Sequence, residues 1–105
     1  MKISEIITEL QNDYYKDDGC VYVTSGEWFY SYKSLSVSPA GVIYFSDKIE
    51  MPVMTKKSLL EKLSVFRDNV LLATNLDTNK TYEIVEVNCD EDDEMGSDIY
   101  LFIND

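Results

Sequence analysis

Residues 54–67 read MTKKSLLEKLSVFR, and this stretch restarts a pattern that the first ten residues, MKISEIITEL, have already set out. In the later copy Leu59, Leu60, Leu63 and Phe66 form an apolar stripe at helical spacing, with Lys56, Lys57, Glu61 and Lys62 on the solvated side and Thr55 placed to cap the helix. In the earlier copy Ile3, Ile6, Ile7 and Leu10 fall at i, i+3, i+4 and i+7. A helix is therefore expected near residues 2–12 and a second near 55–66.

Working outward, each helix precedes three stretches with strand chemistry. After the loop NDYYKDDG (12–19), where at least one of Tyr14 and Tyr15 is expected to cover the core, come CVYVT (20–24), EWFYSYKSLSV (27–37) and VIYFS (42–46). Turn residues at Ser25-Gly26 and Pro39-Ala40-Gly41 separate them. After the second helix come VLLAT (70–74), TYEIVEV (81–87) and IYLFI (99–103), with NLDTNK (75–80) and an acidic run, NCDEDDEMGSD (88–98), between them. Within 81–87, alternation puts Tyr82 and Ile84 on one face, with the placement of Glu86 there left open, and Glu83, Val85 and Val87 on the other.

The sum is an α+β fold of one domain, 1–105, built of two αβββ units, 1–50 and 51–105, with an antiparallel sheet and two helices. The halves align as a tandem pseudo-repeat: Ile6, Ile7 and Leu10 with Leu59, Leu60 and Leu63, residues 24–37 with 74–87, and Tyr44-Phe45 with Leu101-Phe102.

Composition narrows function. The chain has no histidine, which removes the commonest general base, metal ligand and activator of Ser or Cys nucleophiles. Its four glycines stand singly in turns, so no phosphate-cradling loop is present, and Cys89 beside Asp90 sits in a field that opposes a reactive thiolate. No enzyme activity and no cofactor are expected. No apolar run could span a bilayer, and the start lacks the core of a signal peptide, so a cytoplasmic location is expected, with Cys20 and Cys89 as free thiols.

The net charge of −11 is uneven. Residues 1–50 carry eight acids and four lysines; residues 51–82 carry three acids against Lys56, Lys57, Lys62, Arg67 and Lys80; residues 83–105 carry nine acids and no base. The last segment supplies the candidate partner-binding residues Glu83, Glu86, Asp90, Glu91, Asp92, Asp93, Glu94 and Asp98. Three readings are open for the run 90–98: a solvated loop, an irregular calcium site, or a surface that imitates nucleic-acid phosphates. An EF-hand loop is excluded, because placing Gly96 at its sixth position puts Met95 where an acid or amide is needed. The same charge disfavours direct binding to nucleic acid or to an anionic membrane. Trp28 and Phe29 are further candidates, since with Tyr30 they are consecutive and cannot all face one core. If the lysines of the second helix lie against 90–98 the two neutralise each other; if they lie apart, the molecule is polarised.

The opening Met1-Lys2-Ile3-Ser4-Glu5-Ile6-Ile7, completed by Leu10, resembles the start of many small proteins from phages and mobile elements of Gram-positive bacteria. The resemblance implies a setting in which small, acidic, histidine-free proteins inhibit host defence nucleases, as anti-CRISPR and anti-restriction proteins do. The expected partner is then a protein with a basic surface, such as a CRISPR nuclease; the alternative is an immunity or antitoxin protein that neutralises a toxin by charge and shape.

Overall fold

The computed structural model describes residues 1–25, 31–66, 68–89 and 97–104. Within them lie helix α1 (Ile3–Leu10), strands β1 (Cys20–Thr24), β2 (Leu35–Val37) and β3 (Ile43–Phe45), helix α2 (Lys56–Leu63), and strands β4 (Leu72–Asn75), β5 (Lys80–Cys89) and β6 (Asp98–Ile103). The α+β class and the two helices are as the sequence predicts.

The sheet is mixed, which corrects the expected antiparallel arrangement. Its six strands run in the order β1-β6-β5-β4-β3-β2, with β1/β6 and β3/β4 parallel and the other three pairs antiparallel. The physical reason is the position of α2. Parallel neighbours need a crossover long enough to carry the chain back, and α2 provides it between β3 and β4. The first strand then finds its partner in the last, Val21 opposite Ile99 and Val23 opposite Leu101. The sheet curls until its edges almost meet: Val23 and Tyr32 exchange both backbone hydrogen bonds, at 2.9 and 2.8 Å. Of the described part, 31–37, of the predicted strand 27–37, only 35–37 joins a ladder; Tyr32 stands in this isolated bridge and packs edge-on against Phe45 at 4.7 Å.

Alternation along the strands points Val21, Val23, Ile43, Phe45, Ala73, Ile84, Ile99 and Leu101 inward, where they form one cluster with Ile3, Ile6, Ile7 and Leu10 of α1 and Leu59 and Leu63 of α2. Burying the four α1 side chains is worth about 6–12 kcal/mol before chain entropy is charged against it. Tyr15 is buried and Tyr14 exposed, so one of the pair covers the core, as the sequence predicts. Phe66 lies beyond the end of α2 rather than on its stripe. Its ring rests against Gly41, whose φ of +81° and whose missing Cβ, which would come within 2.9 Å of that ring, both require glycine.

Each helix enters through the same set of backbone contacts. The Ile3 N–H donates to Asn69 O (2.7 Å) and the Leu71 N–H to Met1 O (3.0 Å); the Lys56 N–H donates to Gly19 O (3.0 Å) and the Val21 N–H to Met54 O (2.8 Å). Thr55 caps α2 through the Ser58 N–H at 3.2 Å.

Lys56 overturns its expected place on the solvated side. It is buried, its Nζ donating to the Tyr15 carbonyl at 2.6 Å with Asp17 at 3.5 Å. The helix enters beside residues 15–19, and a lysine stem can fill apolar space while its ammonium reaches a carbonyl at the rim.

Candidate binding face

The long strand β5 decides which acids share a surface. It pairs with β4 only as far as Leu72 opposite Glu83, and with β6 from Ile84 opposite Ile103 to Cys89 opposite Ile99. Between Ile84 and Glu86 the register slips by one, leaving Val85 as the extra residue of a β-bulge. Ile84 and Val87 both point inward, and Glu83, Val85 and Glu86 are all exposed. This corrects the alternation expected for 81–87: Val87 leaves the face of Glu83 and Val85 for the core, and Glu86, whose side was open, stands outward.

Glu83 and Glu86 consequently stand on one outward face, together with Asp98 at the head of β6. By strand geometry Glu83 and Glu86 are about 10 Å apart and Glu86 and Asp98 about 14 Å. Met1 N lies 3.2 Å from the Glu83 carboxylate, and the Asn88 side chain lies 3.4 Å from that of Glu86. Asp98 accepts from the Tyr22 hydroxyl at 3.3 Å. Burial, and then the Asp98 charge, push the Tyr22 phenol up to about 12, so Tyr22 stays a neutral donor. Among the described residues, Lys80 at the start of β5 is the one lysine or arginine on the six strands, and it is exposed; the Met1 ammonium is paired with Glu83.

A row of half-buried aromatics borders the acids, unmarked by the sequence reading as a site. Tyr22 stacks on Tyr100 with centroids 5.1 Å apart and planes 20° from parallel, and Phe102 continues the outward positions of β6 opposite Glu86. The signal was present in 99–103, where Tyr100 and Phe102 alternate with Ile99, Leu101 and Ile103, which line the core.

Of the remaining candidates, Asp90, Glu91, Asp92, Asp93 and Glu94 lie outside the described residues, as do Trp28, Phe29 and Arg67. Among the described residues, no three or more of His, Cys, Asp and Glu are grouped to hold a metal ion, and no helix is long and apolar enough to cross a membrane. Cys20 lies on β1 and Cys89 on β5, with β6 between them. Two strand spacings, about 9.6 Å, exceed the reach of a disulfide.

The lysines of α2 divide. Cys20 is bridged to Thr55 and donates its N–H to Ser97 O at 2.8 Å, so the start of α2 stands two pairings from the entry to β6. Lys56 is spent internally. Lys57 and Lys62 are exposed and make no ion pair among the described residues, Lys62 about 7.5 Å further along the helix.

Comparison with protein-family models, with curated proteins and with solved structures returns no match to this chain.

Proposed function

We propose that this protein is a non-enzymatic acidic binding protein that uses the outward face of β5 and β6 to occupy a basic site on another protein. The observation that carries the reading is the β5 bulge, which puts Glu83 and Glu86 on the same face as Asp98, where the Met1 ammonium paired with Glu83 offsets part of the charge and Glu86 makes no ion pair with a lysine or arginine among the described residues. Spacing refines it. Duplex DNA presents a charge about every 1.7 Å of its axis, far denser than three carboxylates 10–14 Å apart. Those three suit a patch of separated lysines and arginines; imitation of a phosphate ladder requires the five further acids at 90–94. The partner we favour is a nucleic-acid-handling protein such as a host defence nuclease, the phage-type inhibitor setting that the N-terminal resemblance implies.

The test is inhibition of DNA cleavage by an RNA-guided nuclease, together with capture of partners from a bacterial lysate at graded salt. Replacing Glu83, Glu86 and Asp98 with Gln, Gln and Asn should weaken capture and flatten its salt dependence, and extending the replacement to 90–94 should abolish it. A variant lacking all eight charges that still folds and captures the same partner would refute the acidic face.

We also infer that the two halves arose by tandem duplication. Support comes from the helix-entry bonds: an offset of 53 on the helix side and 50 on the strand side maps Lys56–Gly19 onto Ile3–Asn69 and Val21–Met54 onto Leu71–Met1. The Val23–Tyr32 bridge maps likewise onto Ala73–Tyr82. Val37 opposite Ile43 maps onto Val87 opposite Leu101, so Tyr44-Phe45 correspond to Phe102-Ile103, one residue later than the sequence alignment places them.

A further inference from the structure

Away from the acidic face, β2 ends the strand order and has a groove along its free edge. Leu35, Val37, Pro52, Val53, Met54 and Lys62 line a space of about 290 Å³, close to the lower bound of about 300 Å³ usual for ligand pockets. Val53 is 58% exposed there although Leu35 and Met54 beside it are buried. The Ser38 N–H donates to Val42 O across the β2–β3 turn. Hydrogen-bonding direction alternates along a strand, so the N–H and C=O of Val37 point away from β3, into the groove. On that side the Ser34–Val53 bridge is the last strand pairing among the described residues. Lys62 stands on the rim, exposed and without an ion pair among the described residues.

The corresponding groove along α1 sharpens the chemistry. There the wall is Met1, Ser4, Glu5, Thr8 and Glu9, so Glu9 stands where α2 carries Lys62 and Glu5 where it carries Ser58. Of the two grooves, the one on β2 joins aliphatic walls and two serines, Ser36 and Ser58, to a lysine, on a chain whose net charge is −11.

We propose that the β2–α2 groove docks an extended peptide segment of another protein, one that carries an aliphatic side chain within two residues of a carboxylate. The segment adds to the edge of β2 through the Val37 backbone, its aliphatic side chain enters beside Val53 and Met54, and its carboxylate pairs with Lys62. Edge addition supplies affinity from the main chain, while the pocket and the cation select the sequence. A groove of this volume admits one or two side chains and excludes a folded element.

The probes are twelve-residue peptides selected from a random display library on the wild-type protein, then synthesised and titrated by fluorescence anisotropy. The selected set should be enriched in Asp or Glu within two positions of Leu, Ile or Val. Lys62→Glu, which exchanges attraction for repulsion at an exposed site, should weaken binding about tenfold. Val53→Asp should do the same, with circular dichroism verifying that both variants fold. Amide shifts on titration should centre on residues 35–37 and 52–54. Failure to select any peptide, selection of sequences without acids, or affinities for Lys62→Glu within twofold of wild type would overturn the proposal. So would a wild-type dimer, seen by sedimentation, that Val53→Asp dissociates, because the occupant would then be a second copy of this chain.

Discussion

Deleting Val85 should leave the fold intact, although it removes a residue from the longest strand of the sheet. A deletion within a strand ordinarily flips every later side chain to the other face. Here the opposite holds. Val85 is the surplus residue of the bulge, so its loss makes Ile84 and Glu86 consecutive, one inward and one outward, and restores regular alternation against Ile103 and Phe102. The break falls where β5 has just left β4, so only the ladder to β6 must adjust. Val85 is 46% exposed. Taking about half of the 1.5–3 kcal/mol for a fully buried aliphatic side chain gives a loss of about 1 kcal/mol, or roughly 4–8 °C in Tm for a domain near this size. Deleting Val87 instead loses a buried side chain and turns Asn88 into the core, a penalty of about 3–6 kcal/mol. Thermal melts followed by far-ultraviolet circular dichroism compare the two. A Val85 deletion that unfolds as completely as the Val87 deletion would refute the bulge and, with it, the shared face of Glu83 and Glu86.

Two further predictions concern stability. Lys56→Ala removes a buried stem and the partner of the Tyr15 carbonyl, and should cost about 2–4 kcal/mol in chemical denaturation, with Lys56→Met, which keeps the stem volume, falling between it and wild type. Asp77 accepts from the Ser46 hydroxyl at 2.6 Å and the Asp47 N–H at 2.8 Å, and these bonds, the hydroxyl first, hold its carboxyl below the usual range. A lowered folded-state pKa gives stability that is present above the ordinary value of about 3.9 and lost as pH falls through the folded value. The Tm gap between wild type and Asp77→Asn should therefore be full at pH 7 and close below about pH 4; a gap that persists unchanged into acid would show that Asp77 stabilises nothing through its charge.

The parts of the fold that were legible in the sequence are those fixed by local periodicity. The stripes Ile3-Ile6-Ile7-Leu10 and Leu59-Leu63 announce their helices because a single face must be buried, and Thr55 announces its cap through a bond three residues away. Strand partners were not legible. Whether β1 pairs with β2 or with β6 depends on how a helix carries the chain across the sheet, and nothing in CVYVT records that. The bulge at Val85 escaped for a related reason: Glu83, Val85 and Val87 read as plain alternation, and only the need to keep both Ile84 and Val87 inside breaks it. Lys56 reads as solvated because lysine defaults to solvent, although aligning the two helical stretches of the sequence sets it opposite the apolar Ile3. Of the candidate acids, Glu83, Glu86 and Asp98 lie among the described residues, and their strands give them a geometry.

The parallel pairing of β1 with β6 has a consequence in time. Val23 and Leu101 are roughly eighty positions apart, and the ladder they belong to joins an early strand to a late one. On the ribosome, at about 5–20 residues per second, β1 emerges some 4–16 s before its neighbour exists. Throughout that interval the edge of CVYVT is a template without its proper complement, and α1 has only part of the sheet to cover. The nascent chain can assemble β2, β3, α2 and β4 as a local unit, but closure waits for the last strand, which makes the arrival of β6 the natural commitment step of folding.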